Sequence, residues 1–250
     1  MLTRIKTADE IIRMRQSGKI LATVLQRASE FADVGTTGKD ISELVRRELK
    51  GFNAKAAFEG FNGFSDVLCI SVNDAIVHGI PTLAEFRKGD IVSFDFGVTY
   101  DGMISDSAQT IIIGEEAEGD KKKLLEATES SLSAGIAVLK NDIKTGDIGA
   151  AVSKVLDDAK LGIVRELVGH GVGHEVHEGP DIPNYGTAGT GATLKAGMTV
   201  AIEPMATLGG ERVVIDPDGW TIRTRDGSLT AHFEHTVLIT EDGAEILTKL

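Results

Sequence analysis

The sequence predicts an α+β protein built as a pseudo-twofold duplication, with antiparallel sheets covered by helices on the outer face. Three observations carry that expectation. The order helix, helix, strands occurs twice along the 250 residues. Matching features stand 108 residues apart: Gly38 and Gly146 after a threonine, Gly89 and Gly197 before a strand, and the acids Asp95 and Glu203. Asp101-Gly102 separates two runs of alternating residues, a strong short-range hairpin signal. The halves are expected at about 1–114 and 115–250, joined in a single domain.

The elements follow in order. Thr7 with Glu10 forms a capping box, and Ile11, Met14, Leu21, Val24, Leu25 and Ala28 recur at helical spacing to about Asp33. Asp40 with Glu43 is read as the start of a second helix that stops near Gly51. A loop rich in glycine and aromatics, Phe58 to Phe64, precedes a strand over Val67 to Val72 and a turn at Asn73-Asp74. Ile76 to Pro81 leads into the hairpin. If Tyr100 faces Met103 across its turn, Asp95 lies opposite Ala108, which shares a face with Asp106. The two acids are then diagonal neighbours, roughly 7–8 Å apart at the backbone.

After the acidic connection Glu115 to Asp120, a third helix carries Leu124, Leu132 and Ile136, and a fourth carries Ile148, Val152 and Leu156. The stretch Gly169 to Gly179 holds three histidines among four glycines, a poor composition for a helix or core strand. It reads either as a flexible loop or as backbone that approaches a ligand closely. Met198 to Glu203 reads as a strand ending at Pro204, which has no N–H to donate. Trp220 to Arg225 and Ser228 to Ile239 are expected to form a last hairpin around Asp226-Gly227, with Glu234 on the face of His232 and Thr236.

Composition narrows the function. The net charge is −12, from 26 basic and 38 acidic residues, which argues against general affinity for nucleic acid or anionic membrane. Cys69 is the single cysteine, so an intramolecular disulfide is excluded. The N-terminus, Met1 to Glu10, lacks an apolar signal core, and no apolar run approaches the ~20 residues of a membrane helix. A cytoplasmic location is the expectation.

Individually, His78, Glu203 and Glu234 read as ordinary loop and surface residues. Together, Asp95, Asp106, His170, Glu203 and Glu234 supply four carboxylates and one imidazole, which balance two dications. Paired metals about 3.5–4 Å apart serve hydrolases. An oxygen-rich set without thiolate suits Mn, Fe or Co at least as well as Zn.

At these residues the chain resembles type I methionine aminopeptidase, of the "pita-bread" metallopeptidase superfamily, over essentially its whole length. The resemblance rests on His78-Gly79-Ile80-Pro81, the Asp95/Asp106 hairpin, Gly169 to Gly173 with His177-Glu178, and Ile182-Pro183-Asn184-Tyr185-Gly186. It continues in Ile202-Glu203-Pro204, Gly219-Trp220-Thr221 and Ser228 to Thr236. It implies a single catalytic domain that removes the initiator methionine from nascent polypeptides and peptides, preferring a small second residue. It implies two divalent ions (Co, Mn, Fe or Zn), Asp95 binding one, Asp106 and Glu234 bridging both, and His170 with Glu203 completing the other. His177 would stabilise the oxyanion, His78 would contact the amide beyond the scissile bond, and Glu203 would carry a proton. The methionine pocket would draw on Phe58, Phe61, Phe64, Cys69, Val176 and Trp220. Phe58, Phe61, Phe64, His174 and Val176 depart from the commonest type I pattern, so the pocket is expected to differ in shape. A monomer, with at most transient ribosome contact, is implied. The alternatives are an X-Pro aminopeptidase or prolidase, whose larger N-terminal domain has no room before Thr7, and a metal-free binding protein on the same fold.

Overall fold

Each half begins with a helix pair, and in the first half side-chain capping sets the start of both helices. The computed structural model describes residues 3–250, so Met1 and Leu2 of the polar N-terminal segment lie outside the described residues. Helix α1 (Ala8–Phe31) is capped by Thr7, which exchanges hydrogen bonds with Glu10. Helix α2 (Gly38–Gly51) corrects the expectation that Asp40 and Glu43 open it. The cap is Thr37, and Asp40 is the third helical residue, its carboxylate accepting the Thr37 N–H at 2.8 Å. A carboxylate three residues into a helix reaches back to the cap amide, so Asp40 closes a box and does not begin one.

Strands β1 (Lys55–Ala56), β2 (Cys69–Val72) and β3 (Ala75–Val77) precede the hairpin β4 (Ile91–Tyr100) and β5 (Met103–Ile112). Its register is the expected one, with Tyr100 opposite Met103, Asp95 opposite Ala108 and Gly97 opposite Asp106. Asp101 and Gly102 have φ of 45° and 77°, the left-handed pair that a tight two-residue hairpin turn requires. Strands β1, β4 and β2 form a sheet, with β5 on the long strand β4.

The second half opens with α3 (Gly119–Ala137) and α4 (Thr145–Asp158), then β6 (Gly162–Ile163), β7 (Val168–Gly171), β8 (Glu178–Pro183) and β9 (Thr199–Ile202). Strands β10 (Met205–Thr207), β11 (Val213–Ile215), β12 (Ile222–Thr224), β13 (Thr230–His232), β14 (His235–Ile239) and β15 (Ala244–Ile246) complete it. The main sheet runs β15-β14-β9-β7-β8, and every strand pairing is antiparallel. Lone bridges Thr37–Glu85 and Lys144–Thr193 recur at nearly the 108-residue spacing.

Two further corrections arise here. The last hairpin is not formed: β12 pairs with β11 and with β3 of the first half, whereas β13 pairs with β10 and β14 with β9. Pairing with distant strands covers more apolar surface than a short local hairpin alone, and tertiary context overrides the turn signal. The second correction is that glycine-rich Val168–Gly171 and the following Glu178–Pro183 are strands, with β7 inside the main sheet. Glycine is required there by crowding: a Cβ on Gly169 would lie 2.4 Å from the Ala201 carbonyl oxygen of β9.

The core lies between helices and sheets. Phe94, Phe96 and Val98 of β4 pack with Leu21, Val24 and Val45 of α1 and α2. Val200, Ile202 and Val237 pack with Leu132, Ile148 and Val152 of α3 and α4. Alternation along β4 then turns Asp95 away from the helices, toward the second half. Among the described residues no helix is long and apolar enough to cross a membrane.

The contact at Gly169 predicts that Gly169→Ala loses about 1–3 kcal/mol of stability through overpacking against backbone. Gly51→Ala, where a Cβ meets nothing within 4 Å, should leave the urea midpoint unchanged or raise it.

Candidate metal centre

The two halves meet at a cavity of about 490 Å³ lined by Asp95, Asp106, His170, Glu203 and Glu234. Each is placed by a different long-range constraint. Asp95 stands on β4 between Cys69 of β2 and Ala108 of β5. Asp106 is clamped at its backbone: its N–H donates to the Thr236 hydroxyl at 2.8 Å, and that hydroxyl donates to its carbonyl at 2.7 Å. Glu234 lies in the break between β13 and β14, so the alternation expected to align it with His232 and Thr236 does not run through it. Its backbone instead pairs with Ala108, donating at 3.0 Å and accepting at 3.4 Å, which brings it beside Asp95 and Asp106. Glu203 follows β9, and the Asn184 side-chain amide donates to its carbonyl at 3.0 Å.

His170 sits on β7 opposite Ala201. Its Nδ1 is 2.9 Å from the Gly171 carbonyl, which can only accept, so the proton is on Nδ1 and Nε2 keeps its lone pair. Nε2 lies 3.4 Å from Glu203. Ligand atoms of Asp106, His170 and Glu234 lie within 4.8 Å of one another.

The electrostatics are severe. Burial raises the Asp95, Glu203 and Glu234 carboxyls well above their usual range, and the neighbouring acids raise them further. Burial lifts Asp106 to about 7 and pulls His170 down to about 3, the latter with a smaller contribution from His177. Asp106 Oδ1 and Glu234 Oε1 are buried without a hydrogen-bond partner. Orphaned carboxylate oxygens beside an unprotonated imidazole are a donor set a divalent cation satisfies. The residues present fit a metal.

Around this centre the cavity is apolar and aromatic, with Phe58, Phe61, Phe64, Cys69 and Trp220 among its lining residues. Trp220 meets Phe64 edge-on at 5.2 Å. Val176, expected in this wall, is buried but does not line the cavity. His177 meets His170 edge-on at 4.2 Å and Phe61 at 5.5 Å. His78 also lines the cavity, with a left-handed φ of 58°. Burial keeps both imidazoles below their usual value, with His177 adding to the effect at His78. Sequence reasoning missed Leu167, Val168, Val77 and Met205, which also line the space, and the clamping role of Thr236. The apolar pair before the Gly/His stretch was the available signal for the first two, and nothing local marks Thr236.

A buried acid-rich centre between two helix-covered antiparallel sheets defines a metal-dependent hydrolase of the pita-bread fold. The chain belongs to metallopeptidase family M24, whose pattern matches residues 12–241. It is 41% identical over 245 residues to methionine aminopeptidase 1 of Bacillus subtilis, covering 98% of each chain. It superposes on the crystal structure of methionine aminopeptidase from Thermotoga maritima with a TM-score of 0.97 and 46% identity, covering 100% of both. The prolidase of Pyrococcus furiosus is more distant, at TM-score 0.78 and 25% identity, covering 98% of this chain and 65% of that one.

Because the centre exists only when folded, adding Mn to chelator-treated protein should stabilise it, by about 2.7 kcal/mol at a hundredfold excess over Kd. Thr236→Val, which frees the Asp106 backbone, should weaken metal affinity by about 10- to 100-fold in calorimetric titration.

Proposed function

We propose that the chain removes the N-terminal initiator methionine from nascent proteins and peptides, preferring a small second residue. The observation that carries this is the cavity itself: five metal-type ligands beside an aromatic wall. A flexible thioether packs well against aromatic edges such as Phe61, Phe64 and Trp220.

Asp95, Asp106, His170, Glu203 and Glu234 would hold two divalent ions, drawn from Co, Mn, Fe or Zn. Such ions supply Lewis acidity, polarising a carbonyl and lowering the pKa of water into the neutral range. The chain's own groups do the rest. Glu203 accepts a proton from the attacking water and returns it to the leaving amine, a shuttle its buried position among the other candidate ligands allows. His177, kept neutral by burial, donates a hydrogen bond to the scissile carbonyl oxygen as charge builds there. His78, held by its left-handed backbone at the cavity wall, contacts the amide beyond the scissile bond.

The same reading makes the chain a single catalytic domain of two related halves, about 1–114 and 115–250, supported by the paired bridges at Thr37 and Lys144. It also makes it a cytoplasmic monomer that meets its substrates as they leave the ribosome, with at most transient contact there. An X-Pro peptidase is the second reading, and the much closer likeness to methionine aminopeptidases disfavours it.

Purified protein with Mn or Co should release methionine from a Met-Gly-Met peptide and leave X-Pro peptides intact. Cleavage of X-Pro without methionine release overturns the assignment. His177→Ala should lower kcat by about 10²- to 10³-fold.

A further inference from the structure

The turn that carries His177 is gripped from behind by the N-terminal segment. Lys6 and Glu178 form an ion pair at 3.1 Å with side chains 0% and 3% exposed. The second Glu178 oxygen accepts the backbone N–H of His174 at 2.7 Å and of Glu175 at 3.1 Å. One carboxylate therefore ties the first residues of the turn to its last. Lys6 is itself anchored: its N–H donates to the Gly197 carbonyl at 2.7 Å, and its ammonium donates to the Thr3 hydroxyl at 2.8 Å. Thr3 in turn donates its N–H to the Gly179 carbonyl. A second tie runs from His174 Nε2 to Glu10 at 2.8 Å, joining the turn to the capping box of α1. Between these ties the His177 ring stands against His170 and Phe61.

We propose that Glu178, paired with Lys6, is a positioning residue that acts through His177, fixing the backbone that aims this imidazole at the scissile carbonyl. The proposal rests on the role given to His177 above. A carboxylate is suited to the task because charge-assisted bonds to N–H groups are short and strong. Lys6 is the counter-charge without which a buried carboxylate would be uncompensated. A displacement of about 1 Å in a catalytic group is enough to cost about a hundredfold in rate.

The test is a double-mutant cycle between Glu178→Gln and His177→Ala on the Mn-loaded protein, with Met-Gly-Met as substrate. Glu178→Gln should lower kcat by up to about a hundredfold, with KM and bound metal equivalents unchanged. In the His177→Ala background it should add no further loss. Multiplicative losses, or a folded Glu178→Gln protein with wild-type kcat, overturn the proposal. The paired variant Lys6→Met/Glu178→Gln leaves no lone buried charge, and it enters the same cycle if the single variant does not fold. Amide exchange supplies a readout free of activity: His174 and Glu175 should exchange faster in Glu178→Gln, and unchanged protection overturns the clamp. Wild-type protein that releases no methionine overturns the function reading instead, and does so before any variant is made.

Discussion

Four carboxylates, Asp95, Asp106, Glu203 and Glu234, share one cavity and are themselves largely buried, and their mutual repulsion is what the surrounding structure has to withstand. Left to themselves, such groups would take up protons or move apart. Each is instead held at its backbone: Asp95 within a strand bonded on both sides, Asp106 by the Thr236 hydroxyl, Glu203 by the Asn184 side-chain amide, and Glu234 by reciprocal bonds with Ala108. The rigidity of the sheets keeps the acids close, and a divalent cation held among them would relieve the repulsion. Metal binding at such a site would be coupled to folding, because the donors come together only in the folded chain.

The seam between the halves is the second consequence. Ala108 lies opposite Asp95 on the hairpin and also pairs with Glu234, so one residue of the first sheet sets the spacing of two candidate ligands. Strand β3 pairs with β12 across the same seam, which carries Trp220 toward Phe64 and closes the aromatic wall beside the acids. The candidate metal centre and the aromatic wall thus depend on the same interface. A change that opens it would disturb both.

The hairpin was legible in the sequence down to its register, because Asp101-Gly102 is a local device whose twist and length determine which residues face each other. The start of α1 was legible for the same reason, since Thr7 and Glu10 act within one turn. The second cap was displaced by three residues, as Asp40 serves both as a plausible cap and as the third residue of a box begun by Thr37. The strand at Val168–Gly171 was hidden because Gly169 answers to the Ala201 carbonyl across the sheet, a contact absent from any local pattern.

Residue types and spacing alone pointed to the candidate donors, Asp95, Asp106, His170, Glu203 and Glu234, whereas the aromatic set around them came from the family resemblance. They also determined that the halves repeat and that the hairpin places two acids on one face, since these follow from chain-local periodicity. Tertiary structure alone decided that Glu234 leaves its strand to join Ala108, that Thr236 clamps Asp106 from 130 residues away, and that Val176 turns out of the pocket. It also decided that Lys6 reaches Glu178 beneath the His177 turn. Those placements depend on which distant strands and segments pair, and that is settled by the burial of whole faces rather than by any neighbouring residue.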